Sequence, residues 1–230
     1  MRTQIQINKI KEKQSTPKQQ LIFLNELEVD QLLMYYNNNA DKAEIKPTGP
    51  KCLYIKEGEG VIDYILVKLR NKFGDFKLRN AQIFDTTVPH VLHNDDGKDL
   101  PNAYKAFTIP LQVFDGNALD AKLVMFNQYY YGGPAKFCKD ENFESNTYNS
   151  IVTDYKDIVG LSDTGISEEW RTQLLSHLKD KWIEGLTIQG FYPWVPGSYI
   201  AFDALQIHCA SNFADANISR KIGLSIFTTL

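Results

Sequence analysis

The sequence predicts a mainly β protein with flanking helices, a double-stranded β-helix of the jelly-roll or cupin-like kind, and three observations predict it. About eight or nine strand-patterned runs fall into two groups, 76–128 and 186–230. Two amphipathic helical stripes come before them, and a polar stretch of weak pattern, 129–185, separates the groups. No internal repeat or interdomain linker is visible, so residues 1–230 read as a single domain. Within it, 1–75 supplies an N-terminal arm and packing helices, 76–128 and 186–230 the barrel strands, and 129–185 an insertion suited to act as a lid.

Residues 1–20 are polar and rich in Gln and Lys, an arm that either frays or adds an edge strand through Ile5 and Ile7. From Leu27 to Tyr36 the apolar positions Val29, Leu32, Leu33 and Tyr36 recur at helical spacing, stopped by Asn37-Asn38-Asn39. After a loop with breakers at Pro47 and Gly49-Pro50, Cys52–Ile55 reads as a strand. A second helix is expected over Val61–Phe73, striped by Ile62, Ile65, Leu66, Leu69 and Phe73 and closed by Gly74.

The period then changes to two. Strands are expected at Phe76–Phe84, Val88–His93, Lys105–Phe114 and Ala121–Gln128, with Pro110 marking an edge position or a bulge. The insertion opens on Tyr129-Tyr130-Tyr131-Gly132-Gly133-Pro134, either a mobile aromatic lid or a plain connection whose tyrosines pack on the barrel. It holds one helix beginning near Ser167, buried through Trp170, Leu174, Leu178 and Trp182 and ended by Gly185. Strands resume at Leu186–Tyr192, Ser198–Phe202, Leu205–Cys209 and Arg220–Phe227.

Composition narrows the function. An apolar fraction of 43% with 12% aromatics supports a sizeable core. A net charge of −3 makes nucleic acid an unlikely partner, because phosphate contacts need clustered Lys and Arg. Three scattered cysteines, Cys52, Cys138 and Cys209, form neither a disulfide framework nor a zinc site and favour a reducing compartment. With no signal-peptide core at the N-terminus and no run able to cross a bilayer, the expected location is cytoplasmic, with no membrane partner.

Two stretches carry chemistry: His93-Asn94-Asp95, and Leu205-Gln206-Ile207-His208 followed twelve residues later by Arg220. In an extended segment His93 and Asp95 project to one side and Asn94 to the other, so both can reach one ion, and a distant strand must bring a third ligand, His208. Two imidazoles and one carboxylate on one face of an octahedral ion leave the opposite face open, the triad of non-haem Fe(II) oxygenases. The bland alternatives are a chance triplet, with Asp96 the rival carboxylate, and a core histidine at 208. Alternation puts Arg220 with Ile222, Leu224 and Ile226 and puts Lys221 on the other side. Arg220 is then either a clamp for a dicarboxylate or a structural ion pair with a buried Asp or Glu. His90 reads as a neighbour of the ligands or a surface residue, His177 as solvated, and Trp194 as strand-end packing.

In that order and with that last spacing, His93-x-Asp95, His208 and Arg220 resemble the Fe(II)- and 2-oxoglutarate-dependent dioxygenase superfamily. The tail His208-Cys-Ala-Ser-Asn-Phe…Asn217-Ile-Ser-Arg220 is similar to its phytanoyl-CoA dioxygenase-like branch, and the similarity covers roughly residues 80–230. The resemblance implies Fe(II) held by His93, Asp95 and His208, and 2-oxoglutarate chelating the iron with its far carboxylate on Arg220. It also implies O₂ as co-substrate and hydroxylation of a C–H bond of an unidentified organic substrate, with succinate and CO₂ as products. Some members carry Ser two residues after the arginine where this chain has Ile222, so Tyr104, Lys105 and Thr108 are the candidates for the second contact to that carboxylate. The alternatives are a non-catalytic jelly-roll binding module and a cupin-type metalloenzyme that does not use 2-oxoglutarate.

Overall fold

The computed structural model describes residues 3–46, 49–96, 103–137, 150–151 and 158–230. Gly97, Cys138 and most of the central part of the insertion lie outside the described residues. In chain order the elements are α1 (Gln4–Lys11), β1 (Lys18–Gln20), α2 (Glu26–Asn38), β2 (Glu44–Ile45), β3 (Lys51–Ile55), α3 (Asp63–Phe73), β4 (Lys77–Thr86), β5 (Ala103–Phe114), β6 (Lys122–Tyr130), β7 (Ala135–Lys136), β8 (Ser150–Ile151), β9 (Ile158–Val159), α4 (Glu168–Leu174), α5 (Asp180–Ile183), β10 (Ile188–Pro193), β11 (Tyr199–Asp203), β12 (Gln206–Ala210) and β13 (Arg220–Thr229).

A larger sheet ordered β1-β11-β5-β13-β4-β3-β2 faces a smaller one ordered β10-β6-β12, with β9 joined to β6. Every pairing in the two sheets is antiparallel, which makes a jelly roll with one face of each sheet turned outward. The outward face of the larger sheet is strongly apolar. Ile222, Leu224 and Ile226 of β13 and Phe107, Ile109 and Leu111 of β5 meet Val29, Leu32 and Tyr36 of α2 and Ile65, Leu66 and Leu69 of α3. Each of the large aliphatic side chains removed from water there contributes about 1.5–3 kcal/mol. Helix α2 starts where Asn25 and Glu28 cap each other reciprocally, and α3 stops at Gly74, whose φ of 79° a residue with a Cβ adopts poorly. On the smaller sheet's outer face, Leu174, Leu178 and Trp182 from the insertion pack on Val124, Phe126 and Ile207.

Three expectations are corrected and one is narrowed. The arm forms α1 instead of a strand through Ile5 and Ile7, because Thr3 and Gln6 make a capping box; the edge strand lies further on, at β1 against β11. Val88–His93 is no strand, and only His93 makes a bridge. Of the two readings of Pro110, the bulge holds and the edge does not: it lies inside the larger sheet, where the register between β5 and β13 slips at Ile222/Gly223. The single insertion helix is two, since the Asn212 N–H takes the Leu174 carbonyl (2.7 Å) that a continuing helix would bond, and Trp170 is 39% exposed. Among the described residues no helix is long and apolar enough to cross a membrane.

Candidate metal centre and its cavity

His208 enters on β12, which pairs with β6, and the main chain of His93 is tied to it directly. The His93 N–H donates to the His208 carbonyl and the His208 N–H to the His93 carbonyl, both at 3.0 Å. Two residues on, the Asp95 N–H donates to the Ala204 carbonyl at 2.8 Å, and the Asp95 carbonyl accepts from the Arg79 guanidinium at 2.8 Å. Asn94 turns the other way, accepting from the Ala135 N–H and donating to the Gly133 carbonyl, each at 2.9 Å. The alternation read from the sequence therefore holds at the triplet although the segment is not a strand.

The three side chains converge. Asp95 Oδ1 lies 3.5 Å from His93 Nε2 and Oδ2 lies 3.3 Å from His208 Nε2, and the prospective ligand atoms all fall within 4.8 Å of one another. His93 Nδ1 is 2.8 Å from the Val91 carbonyl and His208 Nδ1 is 2.9 Å from the Gln206 carbonyl. A carbonyl only accepts, so Nδ1 carries a proton in each ring and Nε2 is the nitrogen left facing the centre of the cluster. Burial first, then His208, lowers the pKa of His93 and keeps that ring neutral. Against the burial that would raise it, His208 and then His93 hold the Asp95 carboxyl well below the usual carboxylate range. Each Nε2 can face the carboxylate either as a proton donor or, with a cation among them, as a metal ligand. The donor set, two imidazole nitrogens and one carboxylate, fits a divalent first-row metal with open positions.

Beside the triad is a cavity of about 320 Å³ between the sheets, lined by the three residues themselves, by His90 and Asp96 next to them, and by side chains of β3, β4, β5 and β13. His90 stands edge-on against His93, ring centroids 4.3 Å apart. Of the candidates for the dicarboxylate, Thr108 lines this cavity and Tyr104, Lys105 and Arg220 do not. Tyr104 donates to the Phe73 carbonyl at 3.3 Å, and Lys105 is paired with Asp203 and donates to Ser15 Oγ at 2.7 Å. Arg220 forms a fork with Asp85, Nε to Oδ1 at 2.7 Å and a terminal nitrogen to Oδ2 at 2.8 Å, while Tyr36 donates to the same carboxylate at 2.8 Å. It shares the apolar face of β13, and that face is turned to the helices.

The residue that sequence reasoning missed is Lys221. It lines the cavity, is 4% exposed, and places Nζ 4.0 Å from the Trp194 ring centroid and 4.8 Å from that of Phe213. No carboxylate pairs with it among the described residues, and burial pushes its pKa down to about 7. A signal was present in β13: one face reads Ile-Leu-Ile and the other Lys-Gly-Ser-Phe, and the mixed face is the one that suits a cavity. Trp194 packs at a strand end as expected and also walls the cavity. His177, expected in solvent, has both ring nitrogens shielded, and burial lowers its pKa to about 4. Tyr130 and Tyr131 are buried, and Tyr131 accepts from Gln14 at 2.6 Å, so these tyrosines pack on the body of the protein.

Neither protein-family models nor curated protein sequences match this chain. Solved structures do. The non-haem α-ketoglutarate-dependent epimerase SnoN from nogalamycin biosynthesis aligns with a TM-score of 0.55 at 10% identity, over 97% of this chain and 82% of its own. The non-haem α-ketoglutarate-dependent carbocyclase SnoK of the same biosynthesis aligns at 0.53 and 13%, over 99% and 83%. HygX from Streptomyces hygroscopicus, solved with nickel and 2-oxoglutarate bound, aligns at 0.51 and 9%, over 99% and 86%. At these identities the likeness is one of fold.

Proposed function

We propose that this chain is an Fe(II)- and 2-oxoglutarate-dependent oxygenase that hydroxylates a C–H bond of an organic substrate with O₂, releasing succinate and CO₂. His93, Asp95 and His208 would hold the iron, and Lys221, in place of Arg220, would hold the far carboxylate of 2-oxoglutarate. One observation carries the reading: a His-Asp-His cluster able to hold a metal and a buried lysine with no carboxylate partner among the described residues share a single cavity. Burying a lone cation is costly, and a ligand carboxylate supplies the counter-charge that the protein withholds. The comparison structures support this, two being described as α-ketoglutarate-dependent and one holding nickel and 2-oxoglutarate.

When bound, the iron supplies O₂ activation and the oxidising power for C–H cleavage. The chain's own residues do the rest. His93 and His208 present Nε2 atoms oriented by the Val91 and Gln206 carbonyls, Asp95 supplies negative charge, and Trp194, Leu123 and Phe227 wall the cavity with apolar surface. Residues 1–230 would act as one oxygenase unit, and the free, buried Cys52 and Cys209 suit a reducing, cytoplasmic setting. With Arg220 engaged by Asp85, the tie to the phytanoyl-CoA dioxygenase-like branch loses its main residue. Anaerobic addition of Fe(II) and 2-oxoglutarate to the purified protein is expected to give a metal-to-ligand charge-transfer band. A folded sample with no band would overturn the assignment.

A further inference from the structure

Strand register lines up a row of hydrogen-bonding side chains across the cavity floor. Tyr54 of β3 lies opposite Gln82 of β4, Gln82 opposite Ser225 of β13, and Ser225 opposite Thr108 of β5. Residues directly opposite on antiparallel neighbours project to the same face, and all four line the cavity. With strands about 4.8 Å apart the row spans roughly 14 Å. It runs from Tyr54, 39% exposed, to Thr108, 7% exposed, so it leads from the surface inward. Asn80, two residues before Gln82, adds a second carboxamide to the lining.

Of the basic side chains lining the cavity, Lys46 pairs with Glu44 at 2.6 Å, Arg79 holds the Asp95 carbonyl, and Lys221 is the one assigned above to 2-oxoglutarate. The side chains of Asn80, Gln82, Ser225 and Thr108 hydrogen-bond to no described residue. What this row presents to an incoming molecule is therefore neutral, and able both to donate and to accept. An apolar chain laid along this floor would strip water from these groups and return no hydrogen bond.

We propose, on the oxygenase reading above, that the substrate is a small uncharged polar molecule carrying several hydroxyl or amide groups, recognised through Gln82 and Asn80 with Ser225 and Thr108, and not an acyl chain. Polyols and amides share this chemistry, and separate probes distinguish them. The protein is loaded with Fe(II) and 2-oxoglutarate, the charge-transfer band is recorded, and succinate release is measured with monosaccharides and polyols, with N-acetyl amino-acid amides, and with medium-chain fatty acids.

The expected result is stimulation by a member of one of the first two panels and none by the fatty acids. Gln82→Leu should raise the apparent KM for that probe about tenfold or more, with the band retained. Ser225→Ala, a smaller change, should move KM in the same direction. Stimulation by fatty acids alone, by no polar probe, or with a KM indifferent to both substitutions overturns the proposal. If the band never forms, ligand-observed NMR of the same polar probes, with and without Gln82→Leu, still tests the polar row apart from the oxygenase chemistry.

Discussion

Arg220 and Lys221 are neighbours in sequence and point to opposite faces of one strand. The guanidinium is forked on Asp85 at 2.7 and 2.8 Å beneath the helices, and the ammonium sits 4.0 Å above Trp194 in the cavity. Which of the two would meet the proposed dicarboxylate follows from that division, and the pair can be tested one residue at a time.

Lys221→Met should abolish measurable 2-oxoglutarate binding by calorimetry and at the same time stabilise the ligand-free protein by ~1–3 kcal/mol, because a buried cation without a partner is removed. Urea unfolding of both proteins measures the second effect. A variant that binds 2-oxoglutarate as well as the parent would return the anchor to another residue.

Arg220→Leu should do the reverse. The Asp85 carboxylate, 9% exposed, keeps only the Tyr36 hydroxyl of its described partners, so stability should fall by ~1–3 kcal/mol. Affinity for 2-oxoglutarate should stay within about twofold of the parent. A loss of affinity by an order of magnitude would contradict the face assignment.

The Lys221 pKa lies at about 7 in the folded chain against an ordinary 10.5. Between those values the unfolded chain carries the proton and the folded chain does not, so stability of the ligand-free protein should rise as pH climbs through that window. Affinity for 2-oxoglutarate should fall over the same interval, by at most about tenfold per pH unit, since the anion needs the charged form. Lys221→Met should flatten the stability profile; identical slopes in the two proteins would remove Lys221 as the titrating group.

Addition of Co(II) or Fe(II) should raise the thermal midpoint of the parent, with ~2.7 kcal/mol of added stability at a hundredfold excess over Kd. His208→Ala should lose that shift while keeping its far-UV circular dichroism. A midpoint that still responds to metal in the variant would place the ion elsewhere.

The candidate ligand triplet was legible because a period of two holds even in a non-strand segment, and His208 because a strand, turn and strand deliver it. Helices α2 and α3 announced themselves through unbroken apolar stripes. The facing of β13 was not legible. Alternation groups Arg220 with Ile222 and Lys221 with Ser225, but both faces of this strand are covered, and only the tertiary fold says which cover is helix and which is cavity. The break after Leu174 was hidden for a similar reason, being made by Asn212 from far along the chain. The Thr3/Gln6 box is readable in the sequence, and its two capping hydrogen bonds outweigh the strand pattern of Ile5 and Ile7.

The reciprocal main-chain bonds between His93 and His208 have a practical consequence. The spacing of these two proposed ligands is written into the backbone, so chelation should empty the cradle without collapsing it. Metal exchange should then proceed as quick, reversible docking, unlike that of small domains which unravel when their ion is withdrawn.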